Sequence, residues 1–565
     1  MDNGSVARPD DLVPILTAEE VERLSRFGSV HHYADGEKLI QTGKPSPGMF
    51  VILSGRIAIT KHDGLGQVTP VIDQGPGQFL AEMAELTGIG ALVDGAAIGD
   101  VEALVIPSAG IRAMLVAEAG LGERIMRTLI LRRLYLLKSE AGGVVLVGSP
   151  SETIRLQSFL TRISFPSHTL DPASDLLAAD VIERYSPRQD ELPLAVLPDG
   201  NILRNPGEAK LARALGLGVG PERDRPVYDV AVVGAGPAGL ATAVYASSEG
   251  LSAVVIDARG FGGQAGASAR IENYLGFPTG VSGRELAGRA IAQALKFGTS
   301  MMLPVEVKAL DCTRVDGVFA LLLESGERVC ARSVVIASGA RYRRPAIENL
   351  SAFEGRGIWY WASPIEARAC DGQEVIVVGG GNSAGQGAVY LAGHAAKVRM
   401  MIRGARLADS MSRYLIDRIG AARNIEVMTE TEIVAVAGTP RGGLEEVRWR
   451  NRRTGAETVA AIRNVFLYAG ADPATHWLAG CGVKLDKAGF VVTGAPRGGV
   501  APAAALESTI PGVFAVGDVR SGSVKRMGAA IGEGAQVVPL LHAFLVGNSQ
   551  ADANDAPAQP ATALS

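Results

Sequence analysis

The stretches VVGAGPAG, residues 232–239, and VVGGGNSAG, residues 377–385, decide the fold. Each closes a short apolar run and opens an alanine-rich stretch. That is the strand, tight turn and helix start a dinucleotide pyrophosphate needs: N–H groups at the helix N-terminus face the phosphates, and glycine lets them approach. Two copies predict two bound nucleotides, one able to pass electrons to the other.

Outward from the first copy, YDVAVVGAGPAGLATAVYASSEGLSAVVIDAR (228–259) carries Gly234, Gly236 and Gly239 at GxGxxG spacing, with Asp257 at the end of the next apolar run. That acid is placed to accept a hydrogen bond from an adenosine ribose. A lone GxGxxG marks only a glycine turn; here strand, helix, second strand and acid agree. The second copy sits in GQEVIVVGGGNSAGQGAVYLAGHAAKVRMMIRG (372–404), where Gly379, Gly381, Asn382, Ser383 and Ala384 form the turn and helix start. Its next strand ends at Ile402, Arg403 and Gly404 with no acid. Arg403 offers a guanidinium fork to a ribose 2′-phosphate, with Arg406 close by, which favours NADPH over NADH.

Three further segments in the same order, FGGQAGASARIENYLGFP (261–278), VVIASGA (334–340) and TIPGVFAVGDVRSGSVKR (509–526), resemble the thioredoxin reductase branch of the flavoproteins with two dinucleotide-binding domains. The resemblance implies FAD held by Gly234, Gly236, Pro237, Ala238 and Gly239, by Asp257, and by Gly262, Gly263, Gln264 and Asn273. It adds a backbone contact at Val307, and Ala337, Ser338 and Gly339. It further implies that Asp518, after Gly517, reaches the ribityl chain or a phosphate-side hydroxyl. The helix starting near Lys525, Arg526 and Met527 would aim its positive end at the flavin O2 position, favouring the anionic reduced flavin. FLYAGADPAT (466–475) resembles the strand returning to the flavin domain. In that family a CxxC lies just before the second fingerprint. Aligning GRG (355–357) puts Trp361 and Pro364 on the two cysteine positions, with Ile365 and Glu366 where an acid would protonate the departing thiol. Neither Trp nor Pro carries disulfide electrons, so no catalytic residue is assigned. Cys370 is the one nearby thiol, and packing is its expected role.

Upstream, residues 16–106 read as short strands with period-two alternation and glycine turns, as in MFVILSGRIAIT (49–60), which suggests a small antiparallel barrel. The succession TAEEVERLSRFG (17–28), YADGEKLIQTG (33–43), FVILSGRIAI (50–59), GPGQFLAEMAELTG (75–88) and a long helix resembles a cyclic-nucleotide-binding domain. That resemblance implies a phosphate cassette beginning at Phe79, with Glu82 holding a ribose hydroxyl. The family's cassette arginine has no counterpart, because GIGALVDGAAIGD (88–100) has no basic residue, and a buried phosphate without a cation is costly. A barrel kept for assembly or for another ligand is expected. In GERIMRTLILRRLYLLK (122–138) apolar residues recur at helical spacing, fitting a dimer seam or a helix packed on its own domain. VVLVGS (144–149), a helix over 152–162 and ELPLAVLPDGNILRNP (191–206) resemble a thioredoxin fold, with Leu192 and Pro193 at its proline turn. Ser149, Pro150 and Ser151 stand where that family's CxxC begins, so a spacer or docking surface is expected.

A length of 565 residues exceeds what one core serves. A formal charge of −4 without a Lys/Arg block argues against nucleic acid. MDNGSVARPDDL has no signal pattern and no apolar run reaches the roughly 18–20 residues of a membrane span, so no membrane partner and a cytoplasmic location are expected. Cys312, Cys330, Cys370 and Cys481 are widely spaced, which disfavours a metal site and a local disulfide centre.

The expected architecture is multidomain α/β. A cyclic-nucleotide-binding-like β-barrel with its long helix (12–140) precedes a thioredoxin-like domain without cysteines (143–220). A discontinuous Rossmann-type FAD domain (226–343 and 470–548) encloses a Rossmann-type NAD(P)H domain (344–469), and a disordered tail (549–565) follows. The expected activity is hydride transfer from NADPH to FAD and on to a small-molecule or protein acceptor, such as an electron carrier, a quinone or oxygen, without thioredoxin-disulfide reductase activity. A redox or nucleotide sensor with little turnover is the alternative. The resemblance also implies a homodimer.

Overall fold

A computed structural model describes residues 12–62, 64–81, 84–87, 90–138, 143–163, 165–217, 227–439, 443–495 and 504–554. The chain forms two compact units. The first comprises Met1–Val219, Arg259–Phe297 and Arg341–Asp472, and the second Gly220–Ala258, Gly298–Ala340 and Pro473–Ser565.

The first unit begins with an antiparallel sheet ordered Ser29–Tyr33, Asp94–Ile106, Met49–His62 and Val68–Gln74, onto which Lys38–Ile40 and Phe79–Leu80 also pair. In Met49–His62 the apolar run is wholly buried at its start, and Ile57 and Ile59 then alternate with less buried Arg56 and Ala58. One face therefore meets the core and the other faces outward. Helices Ser108–Ala117 and Ala119–Lys138 follow.

Next comes a four-stranded sheet in the order Ile202–Arg204, Leu194–Val196, Val144–Val147 and Ser167–Leu170. Only Val144–Val147 and Ser167–Leu170 run parallel. Helix Pro150–Arg162 makes the crossover between them. It starts on a reciprocal cap between Ser149 and Glu152 with Pro150 in its first turn, a combination whose cap contributes about 1 kcal/mol. The helix N-terminus thus carries a carboxylate-anchored serine where the sequence placed the absent thiolate.

A five-stranded parallel sheet, Ile358–Trp359, Asn464–Leu467, Glu374–Val378, Lys397–Met401 and Ile425–Met428, completes the unit with a three-stranded antiparallel sheet of Thr431–Thr439, Gly443–Asn451 and Glu457–Ala461. Val375, Ile376 and Val377 are all buried, as a parallel strand covered on both faces requires.

The second unit is built on a seven-stranded sheet. Ser300–Met302, Ala253–Ile256, Tyr228–Val233, Arg328–Ile336 and Val513–Ala515 pair in parallel, and Val318–Leu323 and Val307–Val315 add an antiparallel edge. Helix Pro237–Ser248 is buried around most of its circumference. The last helix, Met527–Asn554, lies so close to it that a Cβ on Gly534 would stand 2.4 Å from the Ala238 carbonyl oxygen. This helix runs into the segment read as a tail, whose positions after Asn554 lie outside the described residues.

The absence of a long apolar run needs correction here. Met527–Gly547, 21 residues long, contains an 18-residue window with a mean hydropathy of 1.4 and is long and apolar enough to cross a membrane. Glu533, Gln536 and His542 interrupt the run but do not lower the average enough. In the second unit Val537, Val538 and Leu541 of this helix are buried, and a third of its apolar window is buried in all.

Candidate functional site

In the second unit, strand Tyr228–Val233 ends at Gly234, which has φ +120° and whose Cβ would stand 2.2 Å from the Ala337 carbonyl oxygen. Only glycine lets the two strand ends meet there. Gly236 is the N-cap of helix Pro237–Ser248, with Pro237 in the first turn. Ala238 and Gly239 are buried, and Gly239 packs against the Gly234 carbonyl. Asp257 follows strand Ala253–Ile256, and its Oδ2 accepts the Ala235 N–H at 2.9 Å, tying the acid to the turn. Ala337, Ser338 and Gly339 leave strand Arg328–Ile336; Ser338 Oγ donates to the Ala474 carbonyl at 2.8 Å. Val307 is buried at the head of its strand.

Gly517 and Asp518 form a short turn before the last helix. Glu533, one face down that helix, accepts the Gly517 N–H at 2.7 Å and an Arg520 N–H at 2.5 Å. Among the described residues no protein hydrogen bond reaches the Asp518 carboxylate, and its burial pushes its pKa up despite nearby Lys525. A half-buried acceptor without a protein donor fits a hydroxyl-bearing ligand. Lys525 is committed to the Asp518 carbonyl at 2.5 Å and the Phe490 ring, Arg526 is exposed, and Met527 opens the helix. The glycine cradle and the unmatched carboxylate fit the flavin dinucleotide implied by the sequence.

Gly262, Gly263, Gln264 and Asn273 belong to the first unit, where Gly262 caps the short helix Gly263–Gly266. The same unit holds the second fingerprint. Gly379 has φ +138° and its Cβ would stand 2.6 Å from the Tyr468 carbonyl oxygen. Gly381 caps helix Asn382–Leu391, and a Cβ there would meet no protein atom within 4 Å. That open space at a helix N-terminus is what an approaching pyrophosphate needs. Asn382 is fixed by Ser412 through two hydrogen bonds of 2.7 and 2.9 Å, and Ala384 is buried beside Ser383. Arg403 is exposed with no acidic partner among the described residues, whereas Arg406 pairs with Asp409 at 3.1 Å.

The two aligned cysteine positions frame a closed polar cluster. Ser363 caps helix Pro364–Arg368, and Glu366, wholly buried, reciprocates. One Glu366 oxygen accepts from Trp361 Nε1 at 3.1 Å and from Ser158 Oγ at 3.0 Å. The other accepts the Ser363 N–H at 3.0 Å and the Ser363 hydroxyl. Ser158 comes from helix Pro150–Arg162, as does Arg162, whose guanidinium stands 5.6 Å from the Trp361 ring centroid. Ile154 of that helix joins the cluster of Trp359, Ala362, Ala367 and Cys370. Positions 154, 158 and 162 form one helical face, so the cysteine-less accessory domain seals this place. Cys370 is fully buried, its thiol bonded to the Glu366 carbonyl and pushed up to about 12 by burial and then by Glu366 and Asp371. It is a packed thiol, not a thiolate.

At the cassette, Phe79 is buried and Glu82 lies outside the described residues. Arg132 of helix Ala119–Lys138 stacks 4.6 Å from the Phe79 centroid and donates to the carbonyls of Leu12 and Ala81. The guanidinium beside Phe79 is thus held on backbone carbonyls, as a packing contact from a distant element.

Residues 228–534 match the family model described as Pyridine nucleotide-disulphide oxidoreductase, and residues 30–118 that of the Cyclic nucleotide-binding domain. The chain belongs to the pyridine nucleotide-disulphide oxidoreductase family. It is 31% identical over 313 residues to a thioredoxin reductase of Mycolicibacterium smegmatis, covering 54% of this chain and 93% of that protein. It is 32% identical to a component of the alkyl hydroperoxide reductase of Pseudomonas putida, over 55% of this chain and 56% of that protein. The solved thioredoxin reductase of T. acidophilum superposes with a TM-score of 0.52 at 27% identity, over 57% of this chain and all of that one. The chain therefore joins an N-terminal cyclic-nucleotide-binding domain to a thioredoxin-reductase-like oxidoreductase, a family whose cofactors are FAD and NADPH.

Sequence reasoning missed Ser158, Arg162, Glu533, Arg132 and Tyr468. Tyr468 packs its ring into the space left by Gly387 and against Tyr342, and burial pushes its phenol up. The 154/158/162 spacing was the one available signal.

Proposed function

We propose that this chain is an NADPH-dependent FAD oxidoreductase whose acceptor is not an internal dithiol. An electron-carrier protein, a quinone or other small acceptor, or oxygen takes the electrons. The observation that carries this reading is the cluster at Trp361, Ser363 and Glu366. The carboxylate that would serve a departing thiol is saturated by four donors, and the nearest sulfur is a buried thiol. When bound, the nicotinamide and the flavin supply the hydride chemistry; the chain supplies the glycine turns that admit the pyrophosphates, Asp518 as an acceptor, and helix starts of positive polarity. Residues 143–220 act as a thioredoxin-like spacer: the order of strands and the crossover helix support this, and its lost thiol positions explain its use as a packing element. A barrel-shaped nucleotide-binding-like domain, a homodimer and a cytoplasmic setting complete the proposal.

The test is an anaerobic titration of the purified full chain with NADPH, followed by assays with a thioredoxin disulfide and with ferricyanide. Bleaching of the flavin, turnover with ferricyanide and no turnover with thioredoxin are expected. NADPH-dependent reduction of thioredoxin refutes the acceptor assignment, and an unbleached flavin refutes the enzyme reading in favour of a sensor. For the pyridine nucleotide, Arg403→Ala is expected to raise the KM for NADPH by about 10-fold or more, the worth of a charge-assisted pair, with the KM for NADH within about twofold. Equal effects on both would remove Arg403 from 2′-phosphate recognition.

A further inference from the structure

A cavity of about 370 Å³ lies in the first unit, where the N-terminal antiparallel sheet meets the four-stranded sheet, and neither fingerprint contributes to it. Its walls come from the turns that follow strands Lys38–Ile40, Met49–His62 and Leu194–Val196. Those walls are fixed against one another. A Cβ on Gly64 would stand 2.1 Å from the Leu197 carbonyl oxygen, and Leu65 packs on the cluster of Val145, Val147 and Leu194. Asp94 pairs with Thr60 and Lys38 with Ala96, so strand alternation puts Asp94, Lys38 and His62 on the face turned away from buried Ile57 and Ile59. The cavity is therefore outside the core of the N-terminal sheet.

Asp94 organises it. This carboxylate is only 8% exposed; its Oδ1 accepts the Thr42 N–H at 2.6 Å, and its Oδ2 accepts from Lys38 Nζ at 3.1 Å with His62 Nε2 at 3.4 Å. Burial alone would raise its pKa, but the Thr42 and Lys38 bonds bring it below the usual value. The acid is thus met from within the protein. The donors around it are in excess: the Lys38 ammonium is half-exposed, and Asp94 takes one of its three N–H groups. The Thr42 hydroxyl on the same wall is buried and makes no hydrogen bond, a group that a ligand oxygen can answer.

We propose that this cavity binds a small phosphomonoester of sugar size, with its phosphate on Lys38, His62 and Thr42. A phosphate brings up to about two negative charges and three acceptor oxygens, which suits a compact ammonium with spare N–H groups beside a ring nitrogen and a hydroxyl. The volume exceeds what a bare anion fills and sits at the low end of the roughly 300–1,000 Å³ of metabolite pockets. Among the described residues no Leu, Ile, Val, Phe, Tyr or Trp lines it, so no hydrophobic face receives a nucleobase. Gln41 and the turn at 198–200 instead present polar groups to hydroxyls. The site shares no residue with the flavin or nicotinamide fingerprints and does not depend on the acceptor proposed above.

The full chain, saturated with FAD and NADP+ so that both dinucleotide sites are filled, is acetylated briefly at its lysines and read by peptide mass spectrometry. The reaction is run alone and with millimolar glucose 6-phosphate, ribose 5-phosphate or glycerol 3-phosphate. At least one ester should slow acetylation of Lys38 by about fivefold or more, the protection of a mostly occupied site, with the other lysines unchanged and glucose without effect. In Lys38→Ala, calorimetry should find that ester bound about 10-fold or more weakly, the worth of a charge-assisted hydrogen bond. Unchanged Lys38 labelling with all three esters overturns the proposal, and that measurement needs no variant to fold. Undiminished affinity in Lys38→Ala overturns it as well. Equal protection by inorganic phosphate refutes the ester, and equal protection by glucuronate refutes the phosphate.

Discussion

Gly381→Ala is expected to leave the fold intact and raise the KM for NADPH by about 10-fold or more, while Gly234→Ala yields protein holding about a tenth or less of its flavin. Gly381 caps the helix of the second fingerprint and Gly234 follows the strand of the first, and the structure assigns their constraints to different partners. Gly381 has φ −90°, a conformation open to any residue, and its Cβ would meet no protein atom. A methyl group there costs the fold little and costs only the ligand whose phosphates must approach the helix start. Gly234 has φ +120°, and its Cβ would lie 2.2 Å from Ala337 oxygen and 2.5 Å from its carbon. That backbone is held in place: Ala337 N–H donates to Val233 oxygen at 2.8 Å, and Gly234 N–H to Ile256 oxygen at 2.8 Å. Strain of about 1–3 kcal/mol from the dihedral alone adds to a displacement that spreads through two strands. Thermal melts, the flavin-to-protein absorbance ratio and steady-state kinetics with ferricyanide distinguish the cases. An unchanged KM in Gly381→Ala would mean that the second fingerprint receives no pyrophosphate.

What could be read from the sequence was local in the chain. Both fingerprints place strand, turn, glycine and helix within a dozen residues, so their geometry follows from short-range sterics, and Asp257 follows from the length of one βαβ unit. Capping was also written locally, as Ser149 with Glu152 and Ser363 with Glu366. The remainder depends on pairs distant in sequence. Ser158 and Arg162 fall on one helical face, but nothing near them names Trp361 and Glu366 as what that face meets. Arg132 fits any amphipathic helix until its contact with Phe79 is seen. The four cysteines have no informative spacing, and only the fold places Cys312 and Cys481 on one core cluster. The last helix was misjudged for another reason: a run-length criterion stops at each polar residue, whereas the average over Met527–Gly547 is what a bilayer or a core would sense.

Glu366→Ala is expected to destabilise the first unit by about 3–5 kcal/mol, because it strands buried donors instead of merely removing a contact. Trp361 Nε1, Ser158 Oγ and the Ser363 N–H and hydroxyl all end on this carboxylate. A fully buried donor left without an acceptor, as Ser158 would be, costs about 1–3 kcal/mol, the part-buried Trp361 and Ser363 donors add less each, and the reciprocal cap of helix Pro364–Arg368 is lost with them. Glu366→Gln keeps an acceptor oxygen and the side-chain volume, so it should recover about half of the loss. The first transition in a thermal melt is the measurement, since a protein of several domains does not unfold in one step. Cys370, bonded to the carbonyl of the same residue, should become reactive to N-ethylmaleimide in the alanine variant at temperatures where the wild type resists it. Below that transition, turnover with ferricyanide should stay within about twofold of wild type, because a carboxylate saturated by structural donors has no proton left to manage. A proton-donor role predicts the reverse, a normal melt with a collapsed rate and a lost pH dependence. That result would return Glu366 to the chemistry its position has in proteins that keep the dithiol.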